Sequence, residues 1–130
     1  MSDFLLDTHV ILWLATDPDK IPQAVRRELE NAEWVFVSSV SCYELSQKAH
    51  LGSLSGASGL LARWDAFVDR LMAQELSLTS EEAILAGNLN WEHRDPFDRM
   101  LVSQAQINGL RLVTKDRVIR EYPDVMTIDW

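Results

Sequence analysis

The chain has 130 residues, 47% of them hydrophobic and 25% charged, with 20 acidic against 12 basic side chains and a formal net charge of −8. That length suits one domain with a single sizeable core, and the composition is that of a folded globular chain rather than a disordered one. The longest apolar run, Val10 to Ala15, is six residues, far short of the roughly 20 that span a bilayer. No basic segment leads into an apolar one at the N-terminus, and the lone Cys42 excludes an intrachain disulfide or a multi-cysteine zinc site. These features predict a reduced, cytoplasmic protein without membrane contact. The acidic balance argues against a broad basic face for nucleic acid. If nucleic acid is the ligand, contact must be local and positive charge must come from elsewhere, for example from a metal ion.

In chain order, Phe4–Leu6 reads as a short strand, followed by Asp7-Thr8 and the apolar stretch Val10–Leu14. Ile21, Ala24, Val25, Leu29 and Ala32 fall on one helical stripe. Trp34–Val37 is rich in β-formers and apolar on both faces. A helix is expected from about Val40 to Leu51, then a mobile glycine- and serine-rich loop over Gly52–Gly59 and a second helix over Leu60–Met72. Leu76 and Leu78 bracket a weak strand, and Glu81–Asn88 a short helix. Pro96–Asn108 is a well-marked helix closed by Asn108-Gly109. Leu110–Val113 is a strand, Arg117–Glu121 a helical turn and Val125–Ile128 a last strand. Short, doubly apolar strands alternating with helices predict an α/β fold, a parallel sheet of four to five strands with helices on both faces. Ligands of such sheets sit beyond the carboxyl ends of the strands.

Four carboxylates stand where that rule directs attention: Asp7 after the first strand, Glu44 one turn into the helix after the second, Asp98 in the first turn after Asp95-Pro96, and Asp116 after the fourth strand. Each has a purely structural explanation. Asp7, Asp95 and Asp116 occupy N-cap positions, Ser41-x-x-Glu44 has the form of a capping box, and Asp98 favourably meets a helix dipole. Taken together they would repel unless some were protonated or a cation joined them. Oxygen ligands without cysteine or histidine partners suit Mg²⁺ or Mn²⁺. His9, His50 and His93 are scattered, with no pair at zinc-ligand spacing. Cys42 reads as a small buried side chain rather than a nucleophile, and Trp13, Trp34, Trp64, Trp91 and Trp130 as core or interface residues.

Leu5-Leu6-Asp7-Thr8-His9, Val37-Ser38-Ser39-Val40-Ser41 leading to Glu44, His93-Arg94-Asp95-Pro96-Phe97-Asp98-Arg99-Met100-Leu101, and Leu112-Val113-Thr114-Lys115-Asp116 stand in this order along the chain. In that order the chain resembles PIN-domain proteins, and among them the VapC-type toxins of bacterial toxin–antitoxin pairs. The resemblance covers nearly all of residues 1–130. It implies one three-layer α/β/α PIN-like domain and a Mg²⁺- or Mn²⁺-dependent ribonuclease site. The catalytic and metal-binding positions fall on Asp7, Glu44, Asp98 and Asp116. Thr114 matches a hydroxyl that orients one of these carboxylates; Thr8, Ser39 and Asp95 are supporting positions. Ions held there would polarise a phosphodiester of RNA and lower the pKa of an attacking water. Lys48, Arg94, Arg99, Lys115 and Arg117 lie near the site in sequence, available to flanking phosphates or as solvated surface charges. The resemblance further implies a VapB-like antitoxin partner, operator DNA contacted only through that antitoxin, and a homodimer.

Two other readings compete. A non-catalytic PIN-like scaffold would have no need to keep mutually repelling carboxylates. A phosphoacceptor switch would want an Asp after its third strand, where Leu76-Ser77-Leu78-Thr79 offers none.

Overall fold

The computed structural model describes residues Asp3–Ile128 and Trp130. Its strands are β1 (Phe4–Leu6), β2 (Val35–Ser38), β3 (Gln74–Leu76), β4 (Arg111–Val113) and β5 (Thr127–Ile128), and its α-helices are α1 (Thr8–Thr16), α2 (Gln23–Glu30), α3 (Ser39–His50), α4 (Ala57–Ala62), α5 (Trp64–Leu71), α6 (Ser80–Asn88), α7 (Pro96–Asn108) and α8 (Arg117–Arg120). The strands form one parallel five-stranded sheet in the order β3-β2-β1-β4-β5.

Strand alternation divides the apolar side chains between two cores. Phe4, Leu6, Val35, Val37, Val113 and Ile128 face one side, where Val10, Ile11 and Leu12 of α1, Val25 and Leu29 of α2, Leu60 of α4 and Phe67 of α5 cover them. Leu5, Phe36 and Leu112 face the other, under Leu101, Val102 and Ala105 of α7 with Leu89, Ile119 and Tyr122. The registers Leu5↔Phe36 and Leu5↔Leu112 align that second face across three strands. Helix α3 lies at the edge between the layers, with Leu45 in the first core and Val40 in the second. This is the expected α/β/α arrangement with five strands.

Several boundaries depart from the sequence reading. The helix expected over 60–72 is two helices, broken at Arg63 (φ −125°, ψ 28°). The break lets α4 pack on α1 and α3 while α5 turns Phe67 and Val68 inward. The end of the expected Gly52–Gly59 loop is the first turn of α4, with Ala57 fully buried. Gly56 precedes it at φ +87°, so close to α1 that a Cβ would come within 2.9 Å of Thr16 Cγ2. Strand β3 ends at Leu76 because the Leu78 N–H donates to Ser39 Oγ at 3.1 Å rather than to a sheet neighbour. No tryptophan is fully buried: four line the edges of the cores and Trp34 is 45% exposed.

A buried polar brace, not visible in the sequence, ties several of these elements together. Helix α6 begins with a capping box in which Glu82 Oε1 accepts from Thr79 N at 2.9 Å and Thr79 Oγ1 accepts from Glu82 N at 3.1 Å. The same carboxylate, 2% exposed, accepts from Gln104 Nε2 (3.1 Å) and Asn108 Nδ2 (2.8 Å) of α7. Gln104 Oε1 in turn accepts from Ser38 Oγ at 2.5 Å, and Ser38 Oγ caps α3 by accepting from Val40 N. Burial would raise the Glu82 pKa, but these hydrogen bonds outweigh it and hold the carboxyl below its ordinary value. The brace joins α6, α7 and the β2–α3 junction. No helix among the described residues is long and apolar enough to cross a membrane.

Replacing Glu82 leaves the Gln104 amide without its acceptor and removes one of the two acceptors of Asn108 Nδ2. Glu82→Ala is expected to lower the unfolding free energy by about 3 kcal/mol, read from urea denaturation. A loss under about 1 kcal/mol would show that water satisfies the brace as well as Glu82 does.

Candidate metal centre

From β1 the chain builds outward first to β2 and β3, then returns to β4 and β5 on the other side. The reversal leaves a crevice at the carboxyl ends of β1 and β4, where open parallel sheets hold their ligands. Asp7 enters it directly after β1. Its N–H donates to Val113 O at 3.0 Å, its Oδ1 accepts from Thr8 N at 2.7 Å as the cap of α1, and its Oδ2 accepts from the Thr114 hydroxyl at 2.6 Å. Thr114 Oγ1 also accepts from Asp116 N at 3.0 Å, and Asp116 Oδ1 caps α8 by accepting from Val118 N. One hydroxyl thus links the Asp7 carboxylate to the main chain of Asp116.

Helices α3 and α7 bring the remaining acids. Glu44 is buried, and its Oε2 lies 2.5 Å from Lys48 Nζ. It forms no capping box: Ser38 caps α3, and Ser41 Oγ pairs instead with Thr8 Oγ1 at 2.9 Å. Asp95 caps α7, its Oδ1 accepting from Phe97 N (2.8 Å) and Asp98 N (3.3 Å). Asp98 is buried, with Oδ2 2.6 Å from His93 Nε2.

The charges press on one another. Burial lifts the Asp7 pKa above its ordinary value against the hydrogen bonds from Thr114 and Thr8, and Glu44 adds to the rise. Asp98 is pushed up to about 7 by burial, opposed by His93 and reinforced by the charges of Asp7, Asp95 and Asp116. Burial works against the charge on Lys48, yet its hydrogen bond to Glu44 and the fields of Glu44, Asp95 and Asp98 hold its pKa above normal. The tightest group of possible ligand atoms among the described residues is His93, Asp95 and Asp98, all within 4.8 Å of one another. Asp7, Glu44 and Asp116 stand outside that group but act electrostatically on Asp98 or on Asp7.

His93 is the residue sequence reasoning missed, since it looks only for histidine pairs. The available signal was its position two residues before the Asp95 cap and five before Asp98. Ser39 is exposed and serves the chain path at Leu78, while Thr8 is buried against Ser41. Of the basic residues near the site in sequence, Lys48 is engaged by Glu44, Arg117 by Glu121 and Arg99 by main-chain carbonyls, while Arg94 and Lys115 are exposed. Cys42 is half-buried, and burial together with the charge of Glu75 raises its thiol pKa, which disfavours the nucleophilic thiolate.

The donor set fits a divalent cation. Carboxylates outnumber the local cations, and Asp98 is raised because burial and its acidic neighbours leave its negative charge uncompensated. Carboxylate oxygens are the donors that suit a hard divalent cation.

The parallel three-layer fold with acids at the reversal of its sheet belongs to a known class. A family model, PIN domain, matches residues 4–125, and the chain is a member of that family. Within it, the chain is related to the VapC toxins of VapBC toxin–antitoxin systems. It is 29% identical over 123 residues to Ribonuclease VapC22 of Mycobacterium tuberculosis, covering 94% of this chain and 93% of the relative. Its fold is similar to that of DNA-bound VapBC from Salmonella typhimurium, with a TM-score of 0.75, 25% identity and coverage of 100% of this chain and 99% of the other. VapBC2 from Rickettsia felis, solved with a promoter DNA fragment, shares the fold at a TM-score of 0.73 and 17% identity, with 98% of each chain covered.

The raised Asp98 pKa has a thermodynamic consequence. Without a divalent ion, the folded chain retains this proton up to about pH 7, whereas the unfolded chain releases it near 3.8. The stability linked to that proton is complete below the unfolded value and is lost as pH rises through about 7. Urea denaturation in EDTA should therefore show stability falling toward neutral pH, this group contributing a slope of up to about 1.4 kcal/mol per pH unit. Asp98→Asn should remove that contribution; equal slopes for the two proteins would show that Asp98 titrates normally.

Proposed function

We propose that this chain is a Mg²⁺- or Mn²⁺-dependent endoribonuclease, a single PIN-like domain acting as the toxin of a toxin–antitoxin pair. The observation that carries the proposal is the gathering of acids at the carboxyl edge of a parallel sheet, where ligand atoms of His93, Asp95 and Asp98 lie within 4.8 Å of one another beside the buried Asp7 and Glu44. The relationship to a protein named as a ribonuclease supports RNA as the substrate class.

Asp7, Glu44, Asp98 and Asp116 are assigned as the metal-holding, catalytic carboxylates. A bound divalent ion would supply positive charge for a phosphodiester and lower the pKa of an attacking water. The protein's part is orientation. Thr114 and the Thr8 N–H fix the two Asp7 oxygens, each of which keeps lone-pair capacity for a further ligand. His93 fixes one Asp98 oxygen, and Lys48 partly neutralises Glu44. Asp116, exposed at the rim, presents its carboxylate where substrate would enter.

The same reading assigns a VapB-like antitoxin as partner, with operator DNA bound through that antitoxin, and a homodimer as the assembly. Similarity to VapBC complexes, some of them bound to DNA, supports the partner. A net charge of −8 suits a basic antitoxin segment.

The test is cleavage of total cellular RNA by purified protein free of antitoxin, in Mg²⁺, in Mn²⁺ and in EDTA. Discrete fragments are expected only with an ion present. Asp7→Asn and Asp98→Asn should each reduce cleavage more than about 100-fold while retaining the wild-type circular dichroism spectrum. Thr114→Val, which frees one Asp7 oxygen, should cost about tenfold. Cleavage persisting in EDTA, or absent from folded protein with either ion, would overturn the assignment, the latter in favour of a scaffold.

A further inference from the structure

The side chain of Arg99 lies one residue beyond Asp98 and forms no ion pair among the described residues. Its guanidinium instead collects four main-chain carbonyls. Nε donates to Ala86 O at 2.9 Å, Nη1 to Trp91 O at 2.8 Å and His93 O at 2.9 Å, and Nη2 to Leu89 O at 2.9 Å. Four of its five N–H groups are therefore in use on one segment.

That segment needs an external organiser. Ala86 is in the last turn of α6, whose carbonyls have no intrahelical partners. The chain then leaves the helix at Leu89 in extended conformation, with no glycine in a left-handed C-cap. Between Asn88 and Asp95 there is neither proline nor glycine to pre-set the path. The carbonyls of the alternate residues Leu89, Trp91 and His93 converge on one planar cation, which sets the curvature of the loop. At the end of this hoop, the His93 carbonyl is held by Nη1, its ring lies 4.9 Å from that of Trp91, and its Nε2 meets Asp98 Oδ2 at 2.6 Å.

We propose that Arg99 is a positioning residue for the metal centre: by gathering the carbonyls of Leu89, Trp91 and His93 it fixes His93 against Asp98, and so sets the Asp98 carboxylate for the ion. The inference rests on the metal-centre assignment above and extends it to a residue that touches neither ion nor substrate. Lysine cannot take the role. An ammonium is a compact point charge with three donors, whereas four carbonyls spread around a plane require the guanidinium fork.

The experiment is a double-mutant cycle read by calorimetric titration with Mn²⁺, alongside urea denaturation, on wild type, Arg99→Lys, His93→Gln and the double variant. Arg99→Lys retains the positive charge and most of the stem. It should weaken Mn²⁺ binding about 10- to 100-fold, the range for groups that orient metal ligands. His93→Gln should weaken it comparably, and the double variant should bind no more than about twofold more weakly than His93→Gln, because both act through one contact. Full additivity would mean that Arg99 acts by another route, and would overturn the proposal. So would wild-type Mn²⁺ affinity in Arg99→Lys, even with a lowered urea midpoint, since Arg99 would then only staple the loop. Should Arg99→Lys fail to fold, Arg99→Gln, whose amide still reaches a carbonyl, enters the same cycle with the same criteria. Wild-type protein that binds no Mn²⁺ would sink the metal-centre assignment itself; wild-type binding with an unaffected Arg99 variant sinks only the role given to Arg99.

Discussion

Negative charge held in a buried crevice is the constraint around which this chain is organised. Asp7 and Asp98 are both largely withdrawn from water, and each feels the field of other carboxylates. Ionised carboxylates in such surroundings are costly unless they are hydrogen-bonded or paired. Each of these acids accordingly has an assigned neighbour: Thr114 and Thr8 for Asp7, Lys48 for Glu44, His93 for Asp98. The neighbours reduce the cost without abolishing it, and in the proposed reading the remainder would make the crevice receptive to a cation.

In the proposed site, capping and metal binding would fall to the same side chains. Asp7, Asp95 and Asp116 each satisfy main-chain N–H groups at the start of a helix. A carboxylate has roughly four acceptor positions, so this use leaves capacity for another ligand and at the same time locks the carboxylate's direction. The helices pointing their N-termini at the crevice also favour negative charge there. Structural and functional explanations of these aspartates are therefore compatible, and the structural role would supply the rigidity that a metal site requires.

Stability comes from parts of the molecule that the crevice does not use. Two apolar cores clamp the sheet from either side, and the Glu82–Gln104–Ser38 brace ties α6 and α7 to the β2–α3 junction. Glu82 and Asp98 illustrate how environment decides the state of a buried acid. Glu82 accepts from the amides of Gln104 and Asn108 and from the Thr79 N–H, and its carboxyl is held below its ordinary value. Asp98 meets one imidazole and several acids, and is driven the other way.

Much of this was legible in the sequence because it is local. Doubly apolar triplets such as Phe4–Leu6 place the strands, helical periodicity places α2 and α7, and the residue following each strand identifies Asp7 and Asp116. The parallel α/β class follows from that alternation alone. What sequence could not supply are contacts between segments distant along the chain. The break at Arg63 answers the packing of α4 on α1 and α3; the Glu82 brace spans residues 38 to 108; and the hydroxyl of Thr114 finds Asp7 across 107 positions. Even at short range, the pairing of His93 with Asp98 depends on the path of the Leu89–His93 loop, which the guanidinium of Arg99 shapes. Which carboxylates stand at the strand ends follows from the order of residues alone. Which neighbour each one meets follows from the packed fold, because side-chain direction and dielectric surroundings arise from non-local packing rather than from spacing along the chain.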